Sequence, residues 1–279
     1  MQRILVATDL SSRADRAMRR AAITAAAAGA DLLILYAVAD DQPAAIIEAT
    51  RREAAALLAR AAEGLPELRD LPTRILVEAG DPFDVILRLA EAESCDLIVL
   101  GEHRRRLLRD MLIGTTVERV IRLSRRPVLM VNALPVEPYR RALAACDLGP
   151  AAGAMLMAAA ATGLLDAATL TVLHARETTA GAPADRRAEH AAAAPRAARD
   201  ELALMLGGLD HPCLRRAEPL AVAQPPVPAI LGAVERMRPD LLVIGTRGAG
   251  SMERAMLGSV AAGVLRQVGC DALTLPAPG

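Results

Sequence analysis

The sequence predicts an α/β protein built from two tandem domains, each with a five-stranded parallel sheet that helices cover on both faces. Three observations predict this fold class. Apolar strand patterns alternate with helical patterns, a strand-and-turn motif occurs twice at a domain-sized interval, and 279 residues suffice for two separate cores.

The repeat is clearest at two strand ends. Residues 96–101 (DLIVLG) and 240–245 (DLLVIG) stand 144 positions apart, and thirteen residues after each first glycine comes a second helix start. Upstream, residues 4–10 match residues 142–148 at an offset of 138, and both segments end in Asp-Leu. An interval of about 140 residues is far longer than a solenoid repeat and indicates a duplicated domain.

In the first half, strands and helices are predicted in alternation. Residues 4–8 form a strand, after which Ser11 or Ser12 caps a helix that Gly29 ends. Asp81 and the proline after it open a later helix, because proline is favoured in a first turn. The other predicted elements are strands at 32–38, 73–78, 97–100 and 128–131, and helices at 43–62 and from about Gly114 and Thr115 onward.

The second half repeats this order with a less regular middle. Residues 178–195 are interpreted as a loose loop or linker that precedes a helix at about residues 196–206. Prolines between residues 133 and 139 indicate the boundary, which gives domains of residues 1–134 and 138–279.

Composition excludes several classes of function. Basic and acidic residues number 33 each, which argues against nucleic-acid binding, since that needs a basic surface. With no Trp, two Tyr and one Phe, the chain offers no aromatic platform for single-stranded bases. The four cysteines are widely spaced and indicate neither a zinc site nor a disulfide framework, so we expect no metal site. We expect a cytoplasmic protein without membrane contact, because no stretch has the length of a membrane span and no secretory signal precedes the first strand.

A glycine pattern near the C-terminus is the strongest functional signal. Gly245 and Gly248 are followed, after nine residues, by Gly258 and Ser259 (G-x2-G-x9-G-S), between a buried-strand pattern and a helical pattern. Glycine lets backbone N–H groups approach an anion closely, and a helix N-terminus adds unpaired donors and partial positive charge. The pattern therefore predicts a phosphate site and a nucleotide ligand.

Candidate ligand residues also follow from the sheet. In open parallel sheets, ligands bind at the carboxyl ends of strands near a topological switch point. Asp9, Val38 and Gly101 fall at such ends in the first half, and Asp147 and Ala175 do so in the second.

Together, the strand-terminal Asp in both halves, the glycine pattern and the repeated βαβαβαβαβ order closely resemble the universal stress protein family in its tandem two-domain form. The resemblance covers nearly the whole chain and implies Rossmann-like domains of the adenine-nucleotide α-hydrolase-like type. Members that carry the complete glycine pattern bind ATP, and those that lack it generally do not. The second half then looks ATP-competent and the first half degraded, because Arg104 stands where its second glycine is expected.

The resemblance also implies roles for individual residues. Asp147 would accept a hydrogen bond from adenosine, and Ala175 would offer backbone contacts to adenine, although a larger aliphatic residue is usual there. The implied ligand is ATP, with Mg²⁺ on its phosphates as an option. The full set in the second half is Asp147, Ala175, Ile244, Gly245, Arg247, Gly248, Gly258, Ser259 and Val260, and the weaker set in the first half is Asp9, Val38, Gly101, Gly114 and Thr115.

Other interpretations stay open beside these. Asp9 and Asp147 could instead cap the helices that follow them, and the glycines could be turn residues only. A basic run at residues 103–106 could clamp an anion or face solvent. His174 is expected to be a packing residue, and His211 indicates no function.

No catalytic residues are predicted. The chain shows no Walker A sequence, no Ser-His-Asp arrangement and no paired carboxylates in register with the glycine pattern, so slow ATP hydrolysis is the most we expect. The predicted function is a stress-response protein that binds ATP as a regulatory or structural ligand, and the alternative is a scaffold that binds no nucleotide and acts through protein contacts. The resemblance also implies pairing of the fifth strands, residues 128–131 with 272–275, and a homodimer of tandem chains.

Overall fold

The structure is a computed structural model, and it divides the chain into two compact units, Met1–Pro138 and Tyr139–Gly279. The residues that it describes are 1–101, 116–177, 187–246 and 257–277. Several positions discussed above lie outside these ranges: the basic run 103–106 with Arg104, residues 178–186 of the predicted loop, Gly114, Thr115, Arg247 and Gly248.

The first unit alternates strands and helices as the sequence predicts, and its helix ends follow from local chemistry. Ser11 caps the first helix by accepting a hydrogen bond from the Ala14 N–H, and Gly29 ends that helix with a left-handed φ of 61°. Asp81 caps the third helix by accepting from the Phe83 N–H at 3.1 Å. The elements are β1 (Arg3–Thr8), α1 (Ser12–Ala28), β2 (Asp31–Val38), α2 (Ala44–Glu63), a 3-10 turn (Pro66–Leu68), β3 (Thr73–Ala79), α3 (Pro82–Ala92), β4 (Leu97–Gly101), α4 (Thr116–Leu123) and β5 (Val128–Val131).

The second unit repeats this order, and one prediction made for it is wrong. The sequence predicts a loop or linker up to residue 195, whereas the sixth helix begins at Arg187 and continues through Pro195. An internal proline removes one helical hydrogen bond and costs about 3 kcal/mol, which the strong helix propensity of the surrounding alanines partly offsets. The elements are β6 (Arg141–Cys146), α5 (Ala152–Ala161), β7 (Thr169–Ala175), α6 (Arg187–Gly208), α7 (Pro212–Arg215), β8 (Glu218–Val222), α8 (Pro226–Met237), β9 (Leu241–Gly245), α9 (Ser259–Leu265) and β10 (Asp271–Leu275).

Each unit forms a parallel arrangement of strands with its first strand in the middle. The order is β3-β2-β1-β4-β5 in the first unit and β8-β7-β6-β9-β10 in the second. The pairs within each unit run parallel. The chain moves to one side of the first strand and then returns to the other, so each unit has a switch point beside the carboxyl end of its first strand.

The Asp that begins each repeated strand motif has a structural role at the opposite, amino edge. The Asp96 carboxylate accepts backbone hydrogen bonds from Gln2 and Arg3. The Asp240 carboxylate accepts from Arg140 at 2.8 Å and from Arg141 at 2.9 Å. Each carboxylate therefore fixes the start of one central strand against its neighbour with charge-assisted bonds.

The cores are aliphatic, as the composition predicts. Residues 32–35 of β2 and 97–100 of β4 are all buried, and unbroken apolar runs of this kind mean that both faces of the sheet are covered. Tyr139 is a buried aromatic residue whose hydroxyl donates to the fully buried Asp271 carboxylate at 2.6 Å. Within the described ranges, no helix combines the length and the apolar character that a membrane crossing requires.

Candidate functional site

At the carboxyl edge of its strands, the second unit contains a cavity of about 820 Å³. The ends of β6, β7, β9 and β10 contribute residues to it, as do α5, α8 and the start of α9. The cavity lies at the switch point between β6 and β9, which are paired in parallel. Its volume is in the range of about 300–1,000 Å³ that is usual for small-molecule sites.

Asp147 reaches this cavity because β6 ends at the residue before it. Its Oδ1 accepts a hydrogen bond from the Gly149 N–H at 3.0 Å, which closes a tight turn. Leu148 inside the turn has a left-handed φ of 55°. The N-cap of α5 is Ala151, so the interpretation of Asp147 as a helix cap is wrong.

The first unit builds the same turn after β1. Asp9 Oδ1 accepts from the Ser11 N–H at 3.0 Å, and Leu10 has a left-handed φ of 60°. Because Ser11 is the N-cap of α1, the capping interpretation is wrong for Asp9 as well. Val38 and Gly101 end the strands on either side of β1, at the same edge as Asp9.

The cavity is mainly apolar and carries few charges. Among the lining residues that the structure describes, Asp147 is the one with a charged side chain. Burial raises the pKa of the neighbouring Cys146 thiol to about 11, so this thiol is neutral near pH 7. Buried His174 places its Nδ1 3.1 Å from the Cys146 carbonyl oxygen, and since a carbonyl only accepts, this nitrogen carries the hydrogen. His174 therefore packs and bonds at the strand end, as expected.

Backbone hydrogen bonds of Thr246 link the start of the G-x2-G-x9-G-S pattern to β10 and to Gly258. The Thr246 N–H donates to the Leu275 carbonyl at 2.9 Å, and its own carbonyl accepts from the Gly258 N–H at 2.8 Å. Helix geometry leaves the first N–H groups of α9 without an intrahelical acceptor, at Ser259, Val260 and Ala261. These three residues line the cavity, whereas the Gly258 N–H is already used by Thr246.

Comparison with known proteins decides the family. The model of the universal stress protein family matches the chain twice, over residues 1–132 and 138–276. The chain belongs to this family. Two consecutive matches also establish the tandem form, in which each unit is one universal stress protein domain.

Solved structures of universal stress proteins share this fold over nearly the whole chain. One from Archaeoglobus fulgidus DSM 4304 has a TM-score of 0.72 at 21% identity and covers 98% of each chain. A putative universal stress protein from Pseudomonas aeruginosa UCBPP-PA14 has a TM-score of 0.68 at 21% identity, with 99% of this chain and 94% of that chain covered. At such identities the likeness shows the fold alone.

A curated relative matches over a shorter segment. A universal stress protein from Methanocaldococcus jannaschii is 35% identical over 68 residues, which are 24% of this chain. The match spans 42% of that relative, less than half of its length.

Most of the residues that the sequence selects in the second universal stress protein domain come together in the structure. Arg247 and Gly248 lie outside the described ranges. The residues that line the cavity are Asp147, Ala175, Ile244, Gly245, Gly258, Ser259 and Val260.

Sequence reasoning missed other residues of the cavity. Thr246 was detectable, because it lies inside the glycine pattern and directly after β9. Met155 of α5 and Ile230 of α8 also line the cavity. Their sequence surroundings are ordinary helix patterns, so only the packing of the helices against the sheet reveals them.

Proposed function

We propose that this universal stress protein binds ATP in the cavity of its second unit, as a regulatory or structural ligand. The observation that carries the proposal is the meeting of Asp147, Ala175 and the start of α9 around one cavity of about 820 Å³. The family membership and the complete glycine pattern support it.

The chemistry of the lining suggests the orientation of the nucleotide. An ionised carboxylate only accepts hydrogen bonds, so Asp147 suits the ribose hydroxyls or the adenine amine and would repel phosphates. The backbone N–H groups at Ser259, Val260 and Ala261 are donors, and they suit the phosphates. Ala175 and Ile244 would then lie along the base, and the backbone at Gly245 would lie along the ribose.

The same lining favours binding over catalysis. Phosphoryl transfer needs a positioned base and neutralisation of charge at the γ-phosphate. Asp147 is the one charged group among the described lining residues, and it is placed at the adenosine end in this orientation. Within the described part of the chain, the one group of three potential metal ligands lies outside the cavity lining, so Mg²⁺ would be held by the phosphates and water.

The proposal extends to compartment and assembly. All four cysteines are free thiols, which agrees with a reducing compartment, and we place the protein in the cytoplasm. Dimerisation of the tandem chain stays a prediction, to be checked by light scattering on a sizing column.

The experiment is nucleotide release from the denatured protein followed by calorimetric titration with ATP. We expect about one ATP per chain. Asp147→Asn keeps an oxygen for the Gly149 N–H but removes the charge, so affinity should fall about tenfold or more, since hydrogen bonds to charged groups contribute about 1.5–3 kcal/mol. Asp9→Asn changes the equivalent turn of the first unit and should leave the affinity unchanged.

Further outcomes decide between the alternatives. Gly248→Arg, which installs the residue that the first half carries at Arg104, should abolish binding. Two ATP per chain, with equal effects of the two Asp substitutions, would contradict the assignment to the second unit. No binding by the wild-type protein would contradict the proposal and favour a scaffold that acts through protein contacts.

A further inference from the structure

A second cluster of polar side chains lies at the other edge of the second unit. Asp166 stands in the turn that precedes β7, and His211 and Cys213 stand in the segment that precedes β8. Because β7 and β8 are neighbours and run parallel, the segments before them meet at the amino edge of the sheet. This edge is opposite the cavity that Asp147 and Ala175 line.

The three side chains are close enough to share one ion. One ligand atom from each residue can be chosen so that all three lie within 4.8 Å of one another, and His211 Nδ1 is 3.1 Å from Cys213 Sγ. No second group of this kind occurs within the described ranges. Two ligands at tetrahedral zinc, with bonds of about 2.0 and 2.3 Å, are about 3.5 Å apart, so adjustments of a few tenths of an ångström would bring nitrogen and sulfur to that spacing.

The local backbone holds these groups in place. His211 is the N-cap of α7, and its N–H donates to the Leu209 carbonyl at 3.0 Å. Cys213 lies in the first turn of α7, and the Asp166 N–H donates to the Gly163 carbonyl at 3.3 Å. Cys213 is buried, His211 is half-buried and Asp166 is exposed, so the cluster runs from the core to solvent and offers an entry path.

We propose that Asp166, His211 and Cys213 form a Zn²⁺ site that acts independently of the nucleotide cavity. Thiolate, imidazole and carboxylate are the three ligand types that Zn²⁺ takes in proteins. Three protein ligands leave a fourth position for water on the exposed side. When the zinc–sulfur bond forms, the Cys213 thiol proton leaves to solvent.

A simpler explanation is a hydrogen-bonded cluster in which the Cys213 thiol donates to His211 Nδ1. Burial, aided by the Asp166 charge and opposed by Arg216, raises the pKa of Cys213, so the thiol is neutral without a metal. This explanation accounts for the 3.1 Å pair, but it involves the nearby Asp166 carboxylate only through its charge and not as a bonding partner. A cation between the three groups would use all of them, and only a metal-binding experiment separates the two explanations.

The test uses the full chain, reduced, free of nucleotide, stripped of metal and without an affinity tag. Titration with Co²⁺ should give one equivalent per chain and a near-ultraviolet sulfur-to-cobalt charge-transfer band, and Zn²⁺ should displace it. Cys213→Ser and His211→Ala should abolish the band. Asp166→Asn should weaken Zn²⁺ binding at least about tenfold, because loss of even a hydrogen bond to a metal ligand costs about 10–100-fold.

The matched control is Cys270→Ser, which changes a half-buried thiol of the same unit outside the cluster. It should keep both the band and the Zn²⁺ affinity. Thermal melts without metal show whether each variant is folded, and the exposed Asp166→Asn provides a test in which burial is not disturbed. Absence of saturable Zn²⁺ binding, a band that survives Cys213→Ser, or unchanged affinity in Asp166→Asn would overturn the proposal.

Discussion

Two leucines hold a backbone conformation that leucine rarely adopts. Leu10 has a φ of 60° and Leu148 a φ of 55°, in the region that costs a residue with a side chain about 1–2 kcal/mol. Each comes after the Asp that directly follows the first strand of its unit, and each lies inside the turn that the Asp carboxylate closes. The strain therefore accompanies the turn that places these carboxylates at the sheet edge, a pattern common at functional sites.

Relief of this strain should stabilise the protein. Asn adopts left-handed backbone more readily than leucine, so Leu10→Asn should raise the free energy of unfolding by about 0.5–1 kcal/mol. Leu57 is the control, because it is exposed to a similar degree, 42% against 38%, but lies within α2. Leu57→Asn should lower stability by about 0.5 kcal/mol through its poorer helix propensity. Urea titrations measure both, and equal losses in the two variants would contradict the strain explanation.

Residues at strand ends were the easiest to predict, and residues in separate turns were the hardest. Asp147 was identifiable because it directly follows an apolar strand and has a counterpart in the other half. The cluster of Asp166, His211 and Cys213 follows no metal-binding spacing, because its members come from two segments that only the parallel pairing of β7 and β8 brings together. Cysteine spacing alone therefore predicted no metal site in this chain.

Helices with chemical start and stop signals were predicted closely. The sequence placed the first helix between Ser11 or Ser12 and Gly29, and α1 is Ser12–Ala28. The start of α6 was missed because its alanine-rich sequence is interrupted by Pro195, which usually marks a boundary. The short α7 was missed because four residues give no periodic pattern.

The internal proline of α6 gives a direct test at the level of a helix. Pro195→Ala restores an N–H donor inside the helix and should raise the free energy of unfolding by about 1–3 kcal/mol. Pro82→Ala is the control, because a proline in the first turn of α3 lacks an N–H that would have no helical acceptor. It should be neutral or slightly destabilising. Chemical denaturation with circular dichroism compares them, and a loss of stability in Pro195→Ala would show that the proline fits its helix better than alanine does.

Across the whole molecule, few kinds of side chain can change their charge above neutral pH. All 33 basic residues are arginine and none is lysine, so no lysine ammonium group contributes to titration in alkali. The four cysteines are free. Burial raises the pKa of Cys95 to about 11, of Cys146 to about 11 and of Cys270 to about 12, from an ordinary value of 9.0, and it raises that of Cys213 as well.

These thiols predict a loss of stability in alkali. Above about pH 9 the unfolded chain releases thiol protons that the folded chain still holds, so it binds fewer protons and the free energy of unfolding falls as pH rises towards the folded values. The slope should approach about 1.4 kcal/mol per pH unit for each thiol ionised only in the unfolded state. Urea titrations in reducing buffer from pH 8 to about 10.5 would measure it, in a window below arginine ionisation.

A variant that lacks one buried thiol separates the effect of thiol ionisation from other causes of instability in alkali. Cys95→Ala should lower stability at pH 8, because it leaves a small cavity, but it should also make the alkaline slope shallower by the contribution of one thiol. The cavity left by the substitution lowers the free energy of unfolding by the same amount throughout the pH range, whereas loss of the thiol changes how steeply this free energy falls with pH. The two effects are therefore distinguishable in one data set. If the slope of Cys95→Ala equals that of the wild type, ionisation of the Cys95 thiol does not contribute to the alkaline loss of stability, and the explanation is wrong for this residue.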